Sequence, residues 1–206
     1  IALNLSLIDN DDFALRAIDA VIKAIKKIRA KNGSLVEAYP GENSFCVTSL
    51  VAFDILSAIN ILRDHLPDIK MQEYMDIIRP LIQFITINDE KHAIISNHLA
   101  TAAAAITLWE KLTGEHSSRD DDLLEQIFKH QSAEGWFKEY EGADPGYQTL
   151  CTYYLFCIWT ITRNEELLRR LEKSASFLKY CVHPDGTIGG LYGSRNTEVY
   201  YPGGIV

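Results

Sequence analysis

The sequence alternates amphipathic segments with almost wholly apolar ones, and this alternation constrains the fold more than any other feature. The segment from Asp9 to Ala30 carries apolar residues at helical spacing, behind an acidic first turn and ahead of a basic last turn. After a loop rich in glycine and proline, the segment from Ser44 to Leu66 is apolar nearly all round, as expected of a helix buried on several sides. The pair predicts one outer helix and one inner helix.

The same pair recurs with a period of about 50 residues, over three full units and part of a fourth. The later amphipathic segments are predicted at Lys70 to Ile87, Arg119 to His130 and Glu165 to Val182, and the later apolar ones at Leu99 to Glu115 and Tyr147 to Thr162. Pro80 inside the second amphipathic segment predicts a kink or a break. Helical hairpins that cannot bury their own apolar faces stack side by side, with their loops at one end. We therefore predict an all-α fold, either an α/α toroid of the six-hairpin type or an incomplete arc of helical hairpins.

The number of hairpins predicts whether the ring of helices can close. Residues 1–206 are expected to form a single α/α-toroid domain, but about three and a half hairpins are too few to close a ring. The expectation is therefore a toroid domain truncated at its C-terminal end, or an arc completed by a second copy of the chain. An exposed hairpin flank would be the surface of such a homo-oligomer.

Composition narrows the classes of partner. The chain has 206 residues, of which 47% are hydrophobic, and a net charge of -8, which argues against binding a nucleic-acid backbone. We expect no membrane span and a cytoplasmic protein, because no apolar run reaches roughly 20 residues and the start lacks the features of a signal peptide. No cofactor is implied, and the histidines lack the spacing of a metal-ligand set, although calcium bound by loop acids stays open.

The stretch from Gln131 to Gly146, QSAEGWFKEYEGADPG, is the richest in chemistry and joins two predicted helices, with Pro145 where the second begins. The candidate catalytic residues are Asn97, His98, Glu139, Asp144, Tyr147 and Arg195, and the candidate substrate-binding residues are Glu37, Tyr39, Glu42, Trp136, Tyr140, Tyr192, Asn196 and Glu198. Acids, amides and an arginine around aromatic faces suit a polyhydroxylated ligand.

Simpler interpretations stand beside these. Asn97 precedes a predicted helix and would serve as its N-cap. Tyr147 would pack in a first helical turn, and Glu139 and Asp144 would be solvated loop acids. An acidic loop lined with aromatic side chains is, however, also where carboxyl pKa values rise.

The pair Asn97 and His98, followed by a loop of the form GWFKEYxGxDPGY ending at Tyr147, resembles the toroid domain of the heparinase II/III and alginate lyase families. The chain as a whole is similar to toroid proteins of bacterial polysaccharide gene clusters that have no assigned reaction. The family loop usually has DG where this chain has Glu134 and Gly135, and usually has histidine where this chain has Gln148.

The resemblance implies an activity on a uronate-containing or other bacterial polysaccharide. Asn97 and His98, with Arg195, would neutralise the uronate carboxylate, while Tyr147 would act as acid or base when C5 loses its proton. Lyase and epimerase chemistry share this step.

Two other readings remain open. An inverting glycoside hydrolase would use Glu139 and Asp144 as its carboxylate pair. A glycan-binding or scaffold toroid would need only the aromatic side chains. Terpene cyclases share the architecture, but their acid-rich motif is missing here.

Overall fold

The computed structural model describes residues 12–188, 193 and 201–204, and this part of the chain is all-α, with seven α-helices and no β-strand. The helices are α1 Asp12–Ile28, α2 Phe45–Leu62, α3 Asp68–Ile87, α4 Ser96–Thr113, α5 Arg119–Lys129, α6 Pro145–Thr162 and α7 Glu165–Leu178. Short 3-10 turns lie directly after α2 at Arg63–His65, directly after α7 at Lys179–Cys181, and further along the chain at Pro202–Gly204. The all-α prediction is confirmed, and each predicted helix is present with ends shifted by only a few residues.

Helix α3 runs through Pro80 as one helix, so a break at this proline is ruled out, while the alternative expectation of a kink stays a prediction. Two apolar residues close to the proline are fully buried, Ile78 and Leu81 both at 0% exposure. Their packing outweighs the hydrogen bond that proline removes, since most helix stability in proteins comes from a buried apolar face.

The chain divides into two compact units, Ile1–Asn88 and Asp89–Val206. In the first unit, α1 and α2 each pack on α3. Polar groups also join α1 to α3, because the Asp19 carboxylate accepts hydrogen bonds from Lys70 Nζ at 3.0 Å and from the Tyr74 hydroxyl at 2.8 Å. The pKa of Asp19 is held well below its usual range. The main cause is a hydrogen bond from Lys23, and the bonds from Lys70 and Tyr74 add to it.

Within the described residues, one helical stretch, Phe45–His65, is long and apolar enough to cross a membrane by length and composition alone. Half of it is buried inside the protein. Its buried side chains include Ala52, Leu56 and Ile59, so packing in a protein core explains the same composition. The expected absence of a membrane span stays a prediction.

In the second unit, α4 packs against both α5 and α6, and α6 packs against α7. Helix α4 is the most enclosed, and its alanine run, Ala102 to Ala105, is at most 1% exposed. Small side chains let neighbouring helices approach closely. The two helices that the sequence predicts as inner ones, α4 and α6, are therefore in direct contact, and α5 and α7 each pair with one of them.

Candidate functional site

The N-terminus of α4 is covered by the loop that joins α5 to α6. Ile95 and Glu139 form an isolated antiparallel bridge. On one side of it the Ser96 amide donates to the Lys138 carbonyl at 3.0 Å, and on the other the Tyr140 amide donates to the Ile94 carbonyl at 3.0 Å. The acidic loop is thus fastened by backbone hydrogen bonds to the start of an inner helix.

Glu139 and Asn97 form the buried centre of this contact. The Glu139 carboxylate accepts the Asn97 backbone amide at 2.8 Å and the Asn97 Nδ2 group at 2.7 Å, and Glu139 is only 4% exposed. Helix α4 begins at Ser96 with Ile95 as its N-cap, so the interpretation of Asn97 as a cap is wrong. The helix amide is satisfied instead by a carboxylate that lies 42 residues further along the chain.

The pKa of Glu139 is raised to about 8. Burial is the main cause, the charge of Asp144 adds to it, and the two hydrogen bonds from Asn97 oppose it. Glu139 is therefore mostly protonated at neutral pH. The interpretation of Glu139 as a solvated loop acid is therefore wrong. The expectation that carboxyl pKa values rise in this loop holds at Glu139.

The raised pKa of Glu139 predicts a specific dependence of stability on pH. Between about pH 4.5 and pH 8 the folded state binds the proton more tightly than the unfolded state, so the free energy of unfolding falls as pH rises through this window. Replacing Glu139 with glutamine should remove a decline on the order of a few kcal/mol. Urea unfolding at pH 5, 7 and 9 measures it.

The matched control is Glu141→Gln, because Glu141 lies in the same loop and is exposed. It should leave the pH dependence of unfolding as in the parent protein. An equal decline in the parent and in Glu139→Gln would contradict the assignment.

His98 is held by a residue outside the predicted set, Glu90. The Glu90 carboxylate bonds Nδ1 of His98 at 2.7 Å through one oxygen and Nδ1 of His92 at 2.7 Å through the other. Burial would raise the pKa of Glu90, but the hydrogen bonds from the two histidines outweigh it and lower the pKa to about 2. The sequence of this loop, NDEKHAIISNH, does place acids close to two histidines. Spacing alone, however, does not tell whether Asp89 or Glu90 has the buried carboxylate.

Asp144 caps the next inner helix. One of its carboxylate oxygens accepts the amides of Gly146 at 3.0 Å and Tyr147 at 3.2 Å, and Asp144 is 7% exposed. Pro145 occupies the first position of α6, as predicted. Asp144 is therefore a buried cap and not a solvated acid, and Tyr147 lies half-buried in the first turn that it caps.

Residue 193 of the C-terminal segment lies beside this cap. A Cβ at Gly193 would stand 3.0 Å from Oδ1 of Asp144. The candidate residues Tyr192, Arg195, Asn196 and Glu198 belong to the same segment but lie outside the described residues, so their roles stay predictions.

Gln148, a buried residue of α6, holds the loop between α5 and α6 through side-chain hydrogen bonds. Its side-chain oxygen accepts the Phe137 amide at 2.8 Å, and its nitrogen donates to Ser174 Oγ at 2.6 Å and to the Gly135 carbonyl at 3.3 Å. Gln148 is fully buried. Gln148, on α6, therefore joins this helix to the loop and to α7.

The loop aromatics separate into core and surface. Phe137 is fully buried, while Tyr140 is 53% exposed. Trp136 is half-buried, and its ring nitrogen donates to Glu134 at 3.2 Å. Trp136 and Tyr140 are the loop aromatics open to a ligand.

The candidates Glu37, Tyr39 and Glu42 lie in the first unit, in the loop between α1 and α2. Glu42 accepts the backbone amides of Glu37 and Ala38, each at 2.8 Å. Glu37 accepts from the hydroxyl of Ser44, the N-cap of α2, at 3.0 Å. The two acids thus shape their own loop, Tyr39 is 58% exposed, and sugar binding by these three residues stays a prediction.

Among the residues that the structure describes, no group of three or more histidine, cysteine, aspartate or glutamate side chains could hold a metal ion. Comparison with known proteins finds no family model that matches the chain and no curated protein that matches it. What the fold defines is an all-α protein in which two buried helix N-termini and an acidic, aromatic loop meet. The resemblance to lyase toroids remains a prediction.

Proposed function

We propose that this is a carbohydrate-active α/α-toroid protein that abstracts the C5 proton of a uronate unit in a bacterial polysaccharide, as a lyase or an epimerase. The observation that carries the proposal is that Asn97 and His98, adjacent in the first turn of α4, are each held by a buried glutamate from a different loop. Side chains fixed in this way are preorganised for a transition state.

The two glutamates that hold this turn have opposite pKa shifts. Glu90 is ionised and Glu139 is mostly protonated at neutral pH. His98 would bind the uronate carboxylate and stabilise the enediolate, with Arg195 as a second, cationic partner. Asn97, which is 4% exposed and bonded to Glu139, would hold this turn in place.

Tyr147 supplies the remaining acid or base role. It lies in the first turn of α6, which packs against α4, and its cap, Asp144, acts electrostatically on Glu139. The first turns of both inner helices thus belong to one local environment. Loss of the C4 substituent after proton abstraction gives elimination, and return of a proton to the opposite face of C5 gives epimerisation.

The toroid part of the proposal rests on contacts within the second unit. Two inner helices touch each other, each carries an outer helix, and the loops before them bring polar residues to their N-termini. Stacked helical hairpins with this relation form toroids and arcs. The exposed ring of Tyr140 offers a face on which a sugar ring can stack.

The inverting-hydrolase alternative is less well supported. Glu139 is engaged with Asn97, and the Asp144 carboxylate caps α6, so both carboxylates already have buried partners. A general base for hydrolysis must instead reach a water on the far face of the sugar. A non-catalytic glycan-binding toroid stays the competing candidate, because the exposed Tyr140 alone would serve it.

Tyr147→Phe tests the proposal. We expect the ultraviolet absorbance of a new C4–C5 double bond with one or more uronate polymers, and a rate at least about 10²-fold lower in the variant, because the phenolic proton donor is gone. Deuterium uptake at C5 without absorbance would assign epimerisation.

Tyr180→Phe is the matched control, since Tyr180 is 89% exposed and lies in the 3-10 turn after α7. Its rates should equal those of the parent. Turnover unchanged in Tyr147→Phe would overturn the role of this residue. Sugar binding by calorimetry without turnover or deuterium uptake on any uronate polymer would instead favour the glycan-binding toroid.

A further inference from the structure

Glu90 is a buried carboxylate that lies between two histidines at the start of the second unit. Its side chain is 3% exposed, whereas that of His98 is 18% exposed and that of His92 is 66% exposed. One carboxylate oxygen bonds each imidazole through Nδ1, at 2.7 Å in both cases. The backbone amide of His92 donates to the same oxygen as its ring, at 3.0 Å.

These contacts decide which nitrogen of His98 is bonded to Glu90 and which is left for a ligand. An ionised carboxylate only accepts hydrogen bonds, so Nδ1 of His98 must carry the proton that lies between them. Nε2 is then the ring atom available for other chemistry, as a lone pair in the neutral ring or as a second donor in the imidazolium. In water, neutral imidazole side chains favour the opposite tautomer, with the proton on Nε2.

Glu90 is suited to hold the His98 ring in the tautomer that carries the proton on Nδ1. Its pKa, lowered to about 2, keeps it ionised over the whole physiological range. The second histidine, His92, is 66% exposed and bonds the other oxygen of the same carboxylate, so it does not compete with His98 for its oxygen. A carboxylate that fixes the tautomer and ring angle of a histidine sets the orientation in which the other ring nitrogen meets a ligand.

We propose that Glu90 is a positioning residue that holds His98 by Nδ1 and presents Nε2 to the substrate. The catalytic part of this inference rests on the function proposed above. The part that concerns the tautomer of His98 does not, and it can be measured without any substrate.

The first test is the tautomer of His98, read from long-range proton–nitrogen NMR spectra of the labelled protein at about pH 8.5, above the ordinary histidine pKa of about 6.5. The His98 signals are assigned by their loss in His98→Gln. We expect protonated Nδ1 in the parent and a shift of population toward protonated Nε2 in Glu90→Gln. Unprotonated Nδ1 in the parent, or the same tautomer in both proteins, would overturn the inference.

The matched control is His92→Ala, which removes the other partner of the same carboxylate and should leave the His98 tautomer unchanged. If Glu90→Gln does not fold, the spectrum of the parent still decides, because it reports the proton position directly.

The second test is kinetic and uses the uronate polymer that the parent protein turns over. Glu90→Gln should lower kcat by about 10² while changing KM by less than about threefold, because the ring remains present but is no longer held. His92→Ala should stay within about twofold of the parent. Equal losses in both variants would overturn the positioning role. If the parent turns over no uronate polymer, the proposed function fails, and the NMR result still decides the role of Glu90.

Discussion

Gly135→Ala is expected to destabilise the second unit by about 4 kcal/mol or more, which is roughly a thousandfold change in its folding equilibrium. Gly135 has φ +109, a backbone conformation that strains any residue with a Cβ. An added Cβ would also stand 2.2 Å from the carbonyl oxygen of Lys173 in α7 and 2.7 Å from its carbonyl carbon. Both are backbone atoms, so neither can rotate away.

Urea unfolding followed by tryptophan fluorescence measures this loss. The chain has three tryptophans, and Trp109, Trp136 and Trp159 all belong to the second unit, so their emission reports that unit. Gly142→Ala is the control in the same loop, because no atom of the described chain lies within 4 Å of its added Cβ and its φ is not in the left-handed region. Similar losses in the two variants would show that contact with α7 does not determine the loop.

Gln148→Leu is expected to cost about 3 to 5 kcal/mol in the same measurement. Leucine keeps a similar volume but removes the hydrogen bonds to Phe137 and Ser174 and leaves the buried Phe137 amide without its acceptor. The Gly135 carbonyl loses less, because the Gln131 side chain also donates to it at 3.0 Å. A buried amide that loses its partner costs its full desolvation energy.

Gln126→Leu is the control for this substitution. Gln126 is half-buried on α5, and among the described residues its side chain makes no hydrogen bond. The same substitution there should change the free energy of unfolding by less than about 1 kcal/mol. A loss at Gln148 no larger than at Gln126 would show that the buried network does not hold the loop.

These two positions connect the fold to the proposed chemistry. Gly135 and Gln148 fix the first half of the loop against α7, and the second half lies across the start of α4 through Ser96 and Tyr140. Glu139 is therefore anchored from two sides before any ligand binds. A loop that is loosened at Gly135 should lose the Asn97 contact as well as stability.

The helices were predictable because their signals are local. The amphipathic period of α1, the apolar run of α2 and the proline at the start of α6 each depend on residues within a few positions of one another. The residue types of the site were also recognisable, since acids, aromatics and glycines cluster between two helices. These signals required no knowledge of how distant parts of the chain pack.

The direction of each loop acid was decided only by the tertiary structure. Glu139 and Glu141 are two residues apart, yet the first is buried on Asn97 and the second is exposed. Likewise, the side chain of Glu90 is 3% exposed and that of its neighbour Asp89 is 72% exposed. The sequence by itself determined that helices alternate and that a polar loop lies between them. Tertiary packing decided that Glu139 is the buried acid of its loop, because its partner Asn97 lies 42 residues earlier in the chain and reaches it only when the loop lies across the start of α4. For Glu90 the partners are nearby in sequence, but only the folded path of the loop turns its carboxylate toward them.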